Sequence, residues 1–148
     1  MADTVTPEEA LELLEEEGFV YLDVRSMNEF EGGHPEGAFN VPLKHMMPGG
    51  MQDNDDFIDV MEKNFPKSAK LVVGCKAGGR SRAAVALLEE AGYENVRDMS
   101  AGWGGRRNPY GGEVEAGWQA SGLPVALESE PGRDYTALAG RAGADIPY

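Results

Sequence analysis

Residues 74–81 read Gly-Cys-Lys-Ala-Gly-Gly-Arg-Ser, and this segment decides how the rest of the chain is interpreted. The apolar residues 71–73 before it indicate a buried strand. Apolar residues after it recur at i, i+3, i+4 and i+7, which predicts a helix with one buried face: Ala84, Leu87, Leu88 and Ala91. Gly92 follows, where the end of a helix often needs a left-handed residue. The segment is therefore predicted to be a glycine-rich loop between a strand and a helix.

Cys75 is the only cysteine in the chain, and it lies just before the predicted helix. Free N–H groups and the helix dipole favour an anion there, so a thiol is expected to lose its proton readily. Gly78 and Gly79 allow several N–H groups to converge, and the planar guanidinium of Arg80 suits an oxyanion. A lone cysteine is more often a small buried apolar residue. Packing alone does not require two glycines and two cations, so the pattern favours a nucleophile.

The loop resembles the active-site loop of the rhodanese (thiosulfate sulfurtransferase) family in its Cys-x-x-Gly-x-Arg-Ser pattern. Further segments resemble the two ends of that family's domain: Tyr21–Arg25, Glu29-Phe30, Gly33-His34 and Gly37–Pro42 at the start, and Trp118 with Gly122-Leu123-Pro124 at the close. The resemblance covers about residues 5–125. It is greatest to single-domain plant and bacterial sulfurtransferases, which carry similar Pro-Gly-Gly-Met and Asp-Phe segments, here at 48–51 and 56–57.

This resemblance implies an α/β fold, with a parallel sheet of about five strands and helices on both faces. It implies transfer of sulfane sulfur from thiosulfate or a similar donor, through a persulfide on Cys75, to cyanide in vitro or a thiol in the cell. Six residues are predicted to bind the substrate, with Arg80 as the main clamp on a sulfonate: Lys76, Ala77, Gly78, Gly79, Arg80 and Ser81. No metal or organic cofactor is implied. The expected partners are the small-molecule donor and a thiol acceptor, which a protein can also supply.

Two other functions stay open at this point. Phosphatases and arsenate reductases use a similar loop, but with five residues between cysteine and arginine, whereas four separate Cys75 from Arg80. The shorter loop suits a sulfur-sized group better than a phosphoryl group. A non-catalytic interaction module of the same family is the other alternative. Such modules commonly lose the cysteine, which this chain keeps.

Composition narrows the choice of partners and location. The chain has 148 residues, 26 acidic and 13 basic, for a net charge of −13. This charge argues against nucleic acid or an anionic membrane as a general partner. A single cysteine excludes an internal disulfide and a multi-thiolate metal site. No signal-like or membrane-spanning segment is recognisable, so we expect a cytoplasmic location.

The predicted organisation is one domain over residues 1–124, with an inserted loop near 102–112, and an extension over 125–148. The expected elements are a capped helix from Thr6 to about Glu17, strands at 19–24, 38–41 and 96–99, a loop at 43–53 and a helix at 54–64. The inserted loop holds Arg106 and Arg107, and either recognises an acceptor or is an ordinary surface loop. The extension is either mobile or wraps the domain, with Tyr135, Leu138 and Tyr148 as anchors.

The remaining charged residues near the expected site are given structural roles. Asp23, Arg25 and Glu29 follow a predicted strand, at the end of a sheet where ligand sites lie, so a catalytic role is one alternative. The resemblance implies the other, favoured role, in which these charges tie the strand end to neighbouring loops. The resemblance gives His34 a role in holding its loop by hydrogen bonds. His34 and His45 lack the spacing of metal ligands, so no metal site is predicted.

Overall fold

The computed structural model describes residues 3–144 and residue 146. The helices are α1 Pro7–Glu16, α2 Met27–Glu31, α3 Phe57–Asn64, α4 Gly79–Glu90 and α5 Tyr135–Ala142. The strands are β1 Asp3–Thr4, β2 Val20–Asp23, β3 His34–Pro35, β4 Phe39–Asn40, β5 Lys44–Met47, β6 Gly50–Asp53, β7 Lys70–Gly74, β8 Asn95–Asp98, β9 Arg106–Arg107, β10 Glu113–Glu115 and β11 Val125–Ala126. Five of these strands form one parallel sheet in the order β1-β8-β7-β2-β4. The predicted α/β class and sheet are therefore confirmed.

The sheet is buried on both faces. Along β2 and β7, Leu22, Leu71 and Val73 face the core shared with α3, α4 and α5. Tyr21 and Val72 alternate with them and face α1 on the other side. Helices on both faces are confirmed, and the carboxyl ends of the strands are left open for loops that carry polar residues.

The ends of the helices follow local sequence signals. Thr6 caps α1 by accepting a hydrogen bond from the Glu9 N–H at 3.1 Å, and the Glu9 carboxylate accepts the Thr6 N–H at 2.9 Å. This is the predicted capping box. Gly18 and Gly92 follow α1 and α4 with φ of +73° and +101°. The helix end predicted at Gly92 is confirmed, and α1 ends at Glu16, one residue before the predicted Glu17.

The buried face of α4 differs from the prediction. Ala84 and Leu88 are buried as expected, but Leu87 is 41% exposed, and Ser81 and Val85 are buried instead. The glycine-rich loop turns Ser81 inward. Counting from Ser81 as position i, the buried positions i+3, i+4 and i+7 are residues 84, 85 and 88. The predicted face was therefore shifted around the helix axis.

Residues 44–53 form an antiparallel hairpin rather than the predicted loop. β5 and β6 pair across the turn at Pro48-Gly49, and Met46 lies opposite Met51. Both methionines are exposed, and Lys44 lies 3.3 Å from Asp53 in a solvent-exposed ion pair. Because neither strand buries a regular apolar face, the sequence lacked the alternation that predicts a strand.

The C-terminal segment wraps the domain, which was one of the two predicted alternatives. β11 pairs with β3, and α5 packs against α3. Tyr135 and Leu138 are fully buried in the main core. The Tyr135 hydroxyl accepts a hydrogen bond from the Asn54 side chain at 3.1 Å. Tyr148, the third expected anchor, lies outside the described residues.

The segment predicted to be an insertion also has defined structure, because β9 and β10 form a short antiparallel hairpin. Tyr110 at its tip is 96% exposed. Within the described ranges, no helix combines the length and apolar character needed to cross a bilayer.

Candidate active site

Cys75 lies at the junction of β7 and α4, as predicted. It follows the last residue of β7, and Gly78 is the N-cap of α4. The residue is only 1% exposed, and its Sγ accepts a hydrogen bond from the Gly78 N–H at 3.1 Å. A sulfur atom at this place faces the free N–H end of a helix, which is suited to carrying negative charge.

Two glycines are required by close contacts around the loop. Gly78 has a φ of +102°, and a Cβ on it would lie 2.7 Å from the carbonyl oxygen of Ser100. A Cβ on Gly74 would collide with the hydroxyl of Tyr21 beneath the loop. These contacts leave no room for a larger residue on the buried side of the loop, so its backbone path is fixed by packing.

Residues 103 and 104 form a wall beside the loop that the sequence did not reveal. The Trp103 N–H donates to the Cys75 carbonyl at 2.7 Å, and the Gly104 N–H donates to the Lys76 carbonyl at 2.8 Å. The Trp103 ring lies under the Arg25 guanidinium, 4.9 Å from ring centroid to Cζ. The hairpin of β9 and β10 therefore starts directly from the edge of the candidate site.

Arg80 is paired with Glu29 through a two-pronged contact. Its Nη1 and Nη2 donate to Oε1 and Oε2 at 2.6 and 3.0 Å. Burial by itself would raise the pKa of Glu29, but hydrogen bonds from Arg80 and the Ser26 backbone outweigh it and lower the pKa to about 2. Arg80 is predicted to clamp a substrate, yet its fork is turned towards a protein carboxylate.

Ser81 faces the back of the loop rather than its open side. The residue is fully buried, and its Oγ lies 2.9 Å from Asp98 Oδ1 and 3.2 Å from the Gly78 carbonyl oxygen. Burial raises the pKa of Asp98, against the lowering effects of the Ser81 hydrogen bond and the Arg82 charge. Asp98 is the last residue of β8, and no sequence pattern pointed to it.

Three residues of the loop face outward. Lys76, Ala77 and Gly79 are exposed. Among the residues that the structure describes, Lys76 has no salt-bridge partner. The open side of the loop therefore presents one exposed cation and the N-terminal end of α4.

The structural roles predicted for the neighbouring polar residues are confirmed. Arg25 pairs with Asp23 at 2.8 Å and donates to the Gly33 carbonyl at 2.6 Å, while both side chains are buried. His34 Nδ1 lies 2.8 Å from the Phe30 carbonyl oxygen, and its ring stacks on Phe30. Residues 3–144 and 146 contain no group of three or more His, Cys, Asp or Glu side chains arranged to hold a metal ion.

A parallel five-stranded sheet with a buried cysteine between a strand and a helix N-terminus defines an α/β protein with a glycine-rich loop at the carboxyl end of its sheet. The sequence matches the Rhodanese-like domain family over residues 6–106, and the chain belongs to that family.

Named relatives support this assignment. Thiosulfate sulfurtransferase 16, chloroplastic, from Arabidopsis thaliana is 37% identical over 73% of this chain and 80% of its own length. Protein HIGH ARSENIC CONTENT 1, mitochondrial, from the same plant is 36% identical over 84% of this chain and 73% of its own length. The crystal structure of Rv0390 from M. tuberculosis has a TM-score of 0.72 and 27% identity, covering 86% of this chain and 98% of that one.

Proposed function

We propose that this protein is a sulfurtransferase that carries sulfane sulfur on Cys75. The observation behind the proposal is the 3.1 Å hydrogen bond from the Gly78 N–H to Cys75 Sγ at the start of α4. Relatives at 37% and 36% identity that are named thiosulfate sulfurtransferases support the same chemistry. The donor class proposed is thiosulfate or a similar sulfane compound, and the acceptor is a thiol, either small or on a protein.

The reaction has two displacement steps at sulfur. The Cys75 thiolate attacks the outer sulfur of thiosulfate, so a new S–S bond forms and sulfite leaves with the electron pair of the old bond. Cyanide or a thiolate then attacks the outer sulfur of the persulfide. The acceptor takes that sulfur, and the Cys75 thiolate is regenerated. Backbone N–H groups of residues 76–80 would stabilise the negative charge on the persulfide.

Arg80 and Lys76 have different roles in this proposal. Because Arg80 is held by Glu29, it fixes the end of the loop, and the carboxylate of Glu29 balances its charge. Lys76 is exposed and has a long flexible stem, so in this proposal it approaches the sulfonate of the donor. Ala77, Gly78, Gly79 and Ser81 shape the loop, with Ser81 acting from behind it. A cytoplasmic location stays a proposal, because the first relative named above is chloroplastic.

Substitution of the cysteine tests this function. Cys75→Ser should abolish thiocyanate formation from thiosulfate and cyanide, because serine is not ionised at neutral pH and cannot form a persulfide. Mass spectrometry of the wild-type protein treated with thiosulfate should show one added sulfur on the peptide that contains Cys75. Circular dichroism of the serine variant serves as the control for folding. A wild-type protein that neither gains sulfur nor produces thiocyanate would refute the proposal.

Arsenate reduction is the second candidate, because one relative is named for arsenic content. The same protein preparation, given arsenate and a small thiol as reductant, should form arsenite no faster than the Cys75→Ser variant. Cysteine-dependent arsenite formation without sulfur transfer would reverse the order of the two candidates.

A further inference from the structure

The 78–79 peptide is held from behind by the Ser81 hydroxyl and by a backbone hydrogen bond of α4. The Gly78 carbonyl oxygen lies 3.2 Å from Ser81 Oγ and also accepts the Arg82 N–H at 3.1 Å. The N–H on the other side of the same planar peptide belongs to Gly79, the first residue of α4. An α-helix leaves the N–H of its first residue without a partner inside the helix. Any group that fixes the Gly78 carbonyl therefore also fixes the direction of the Gly79 N–H.

Ser81 has one proton for two neighbours. Its Oγ lies 2.9 Å from Asp98 Oδ1 and 3.2 Å from the Gly78 carbonyl oxygen. When Asp98 is ionised, both neighbours are pure acceptors, and the shorter, charge-assisted contact takes the proton. When Asp98 is protonated, it donates to Ser81, and Ser81 donates to the Gly78 carbonyl. Both short contacts of Ser81 Oγ are therefore hydrogen bonds only when the Asp98 carboxyl is protonated.

We propose that Asp98 is a positioning residue for the Cys75 loop and acts through the Ser81 hydroxyl. Protonation of Asp98 turns the Ser81 proton towards the Gly78 carbonyl, which polarises the 78–79 peptide and strengthens the Gly79 N–H as a donor to negative charge at Cys75. Asp98 is 8% exposed and borders a cleft of about 280 Å³ on the side of β8 that faces β1 and α1. The carboxyl therefore exchanges protons with solvent without being in the open side of the loop.

Several other charged or titratable groups lie near Asp98. Burial raises the pKa of Asp98, and the charge of Arg82 in α4 opposes this rise. Burial also raises the pKa of Tyr21 in β2, and the charge of Asp98 adds to that rise. Glu9 of α1, Arg106 of β9 and Glu115 of β10 line the same cleft. These groups act on the loop through space and do not need the Ser81 hydroxyl. A test that removes the hydroxyl therefore separates their influence from the proposed relay.

The proposal is tested with a double-mutant cycle on the full-length protein. Asp98→Asn mimics the protonated carboxyl, because its amide donates to Ser81 at every pH. Cys75 alkylation by iodoacetamide should be about three- to tenfold faster near neutral pH in this variant than in the wild type. In a Ser81→Ala background, the same substitution should change the rate by less than about twofold. Glu94→Gln, which removes an exposed charge just before the start of β8, is the matched control and should leave the rate unchanged.

The pH profile supplies a second readout. The difference in Cys75 alkylation rate between wild type and Asp98→Asn should become smaller as the pH falls through the titration of Asp98. The Ser81 hydroxyl of the wild type then donates to the Gly78 carbonyl, as it does in the variant. If the Asp98→Asn variant does not fold, Ser81→Ala alone still tests the idea, since it should lack the Asp98-dependent component of the wild-type profile. Equal effects of Asp98→Asn in both backgrounds would overturn the relay.

This inference deepens the proposed sulfur transfer and rests on it only for its catalytic consequence. In the cycle above, kcat/KM for sulfur transfer should follow the alkylation rates. A protein that shows the alkylation pattern but transfers no sulfur would refute the proposed function and leave the positioning role in place. Sulfur transfer with no coupling between Ser81 and Asp98 would overturn the positioning role and leave the proposed function in place.

Discussion

At the residue scale, the pair of Glu29 and Arg80 links two parts of the chain that are 51 positions apart. Glu29 also closes the capping box of α2, because its carboxylate accepts the Ser26 N–H at 3.1 Å. One carboxylate therefore fixes the start of α2 and the end of the Cys75 loop. Both partners are less than one fifth exposed, so water screens the contact only in part.

This pair predicts a particular dependence of stability on pH. The pKa of Glu29 is lowered to about 2 in the folded protein from 4.5, so its contribution is complete above about pH 4.5 and is lost as the pH falls towards 2. Glu29→Gln should lower the free energy of unfolding by about 2–3 kcal/mol at neutral pH. The difference from wild type should shrink on acidification, as measured by urea denaturation over a pH series.

Glu8→Gln, which removes an exposed carboxylate from the first turn of α1, is the control. Its effect should stay below about 1 kcal/mol, the size of an exposed helix-dipole interaction. If the difference in free energy of unfolding between wild type and Glu29→Gln does not change with pH, the stabilisation does not come from an ionised Glu29.

At the scale of elements, α5 shows how much the C-terminal segment contributes to the core. Its buried face includes Tyr135 and Leu138, and the Leu138 carbonyl accepts a hydrogen bond from the Asn64 side chain of α3 at 2.9 Å. The helix begins at the N-cap Asp134, whose carboxylate accepts the Ala137 N–H at 2.9 Å. Packing and capping together make this helix part of the domain.

Two leucines of this segment form a matched pair for testing that role. Leu138→Ala should destabilise the protein by about 2–5 kcal/mol, because it removes a fully buried side chain. Leu127→Ala, at a position that is 72% exposed, should change stability by less than about 0.5 kcal/mol. Thermal unfolding of the two variants gives the comparison. Equal effects would mean that α5 is not packed as described.

The elements that the sequence predicted are those with local signals. The capping box at Thr6, the glycine at position 92 and the apolar run in β7 each lie within a few residues of what they specify. The hairpin of β5 and β6 lacked such a signal because it is exposed. The two contacts that organise the site were out of reach for another reason: Ser81 meets Asp98 across 17 positions, and Arg80 meets Glu29 across 51.

The loop itself was predicted more fully than its surroundings. The strand, the helix and the position of Cys75 followed from apolar spacing and glycine chemistry. The direction of the Arg80 and Ser81 side chains did not, because it depends on carboxylates that only the folded chain brings near. Glycine spacing likewise gave no sign that Trp103 would bond to the Cys75 carbonyl.

At the scale of the whole molecule, the excess of 26 acidic over 13 basic residues sets how the protein responds to salt. Mutual repulsion of these charges opposes the compact state. Salt screens that repulsion but also weakens exposed ion pairs such as Lys67–Glu62. With a net charge of −13, screening of repulsion should dominate.

The melting temperature should therefore rise by a few degrees between about 0.05 M and about 0.5 M sodium chloride, where screening is nearly complete. Differential scanning calorimetry at neutral pH measures this change. A series in tetramethylammonium chloride controls for specific sodium binding and should give the same rise. A melting temperature that falls with both salts would show that ion pairs outweigh the net repulsion.

The hydrogen bond between Asn54 and Tyr135 joins residues that are 81 positions apart, and α5 supplies part of the wall around α3. During synthesis, the ribosome releases the chain from its N-terminus, so the sheet strands and Cys75 emerge before this wall exists. The Cys75 loop can take its place between β7 and α4 early, but the face of α3 that packs against α5 stays uncovered until residues 135–142 leave the exit tunnel. In the nascent chain, that face is the surface that a chaperone would meet.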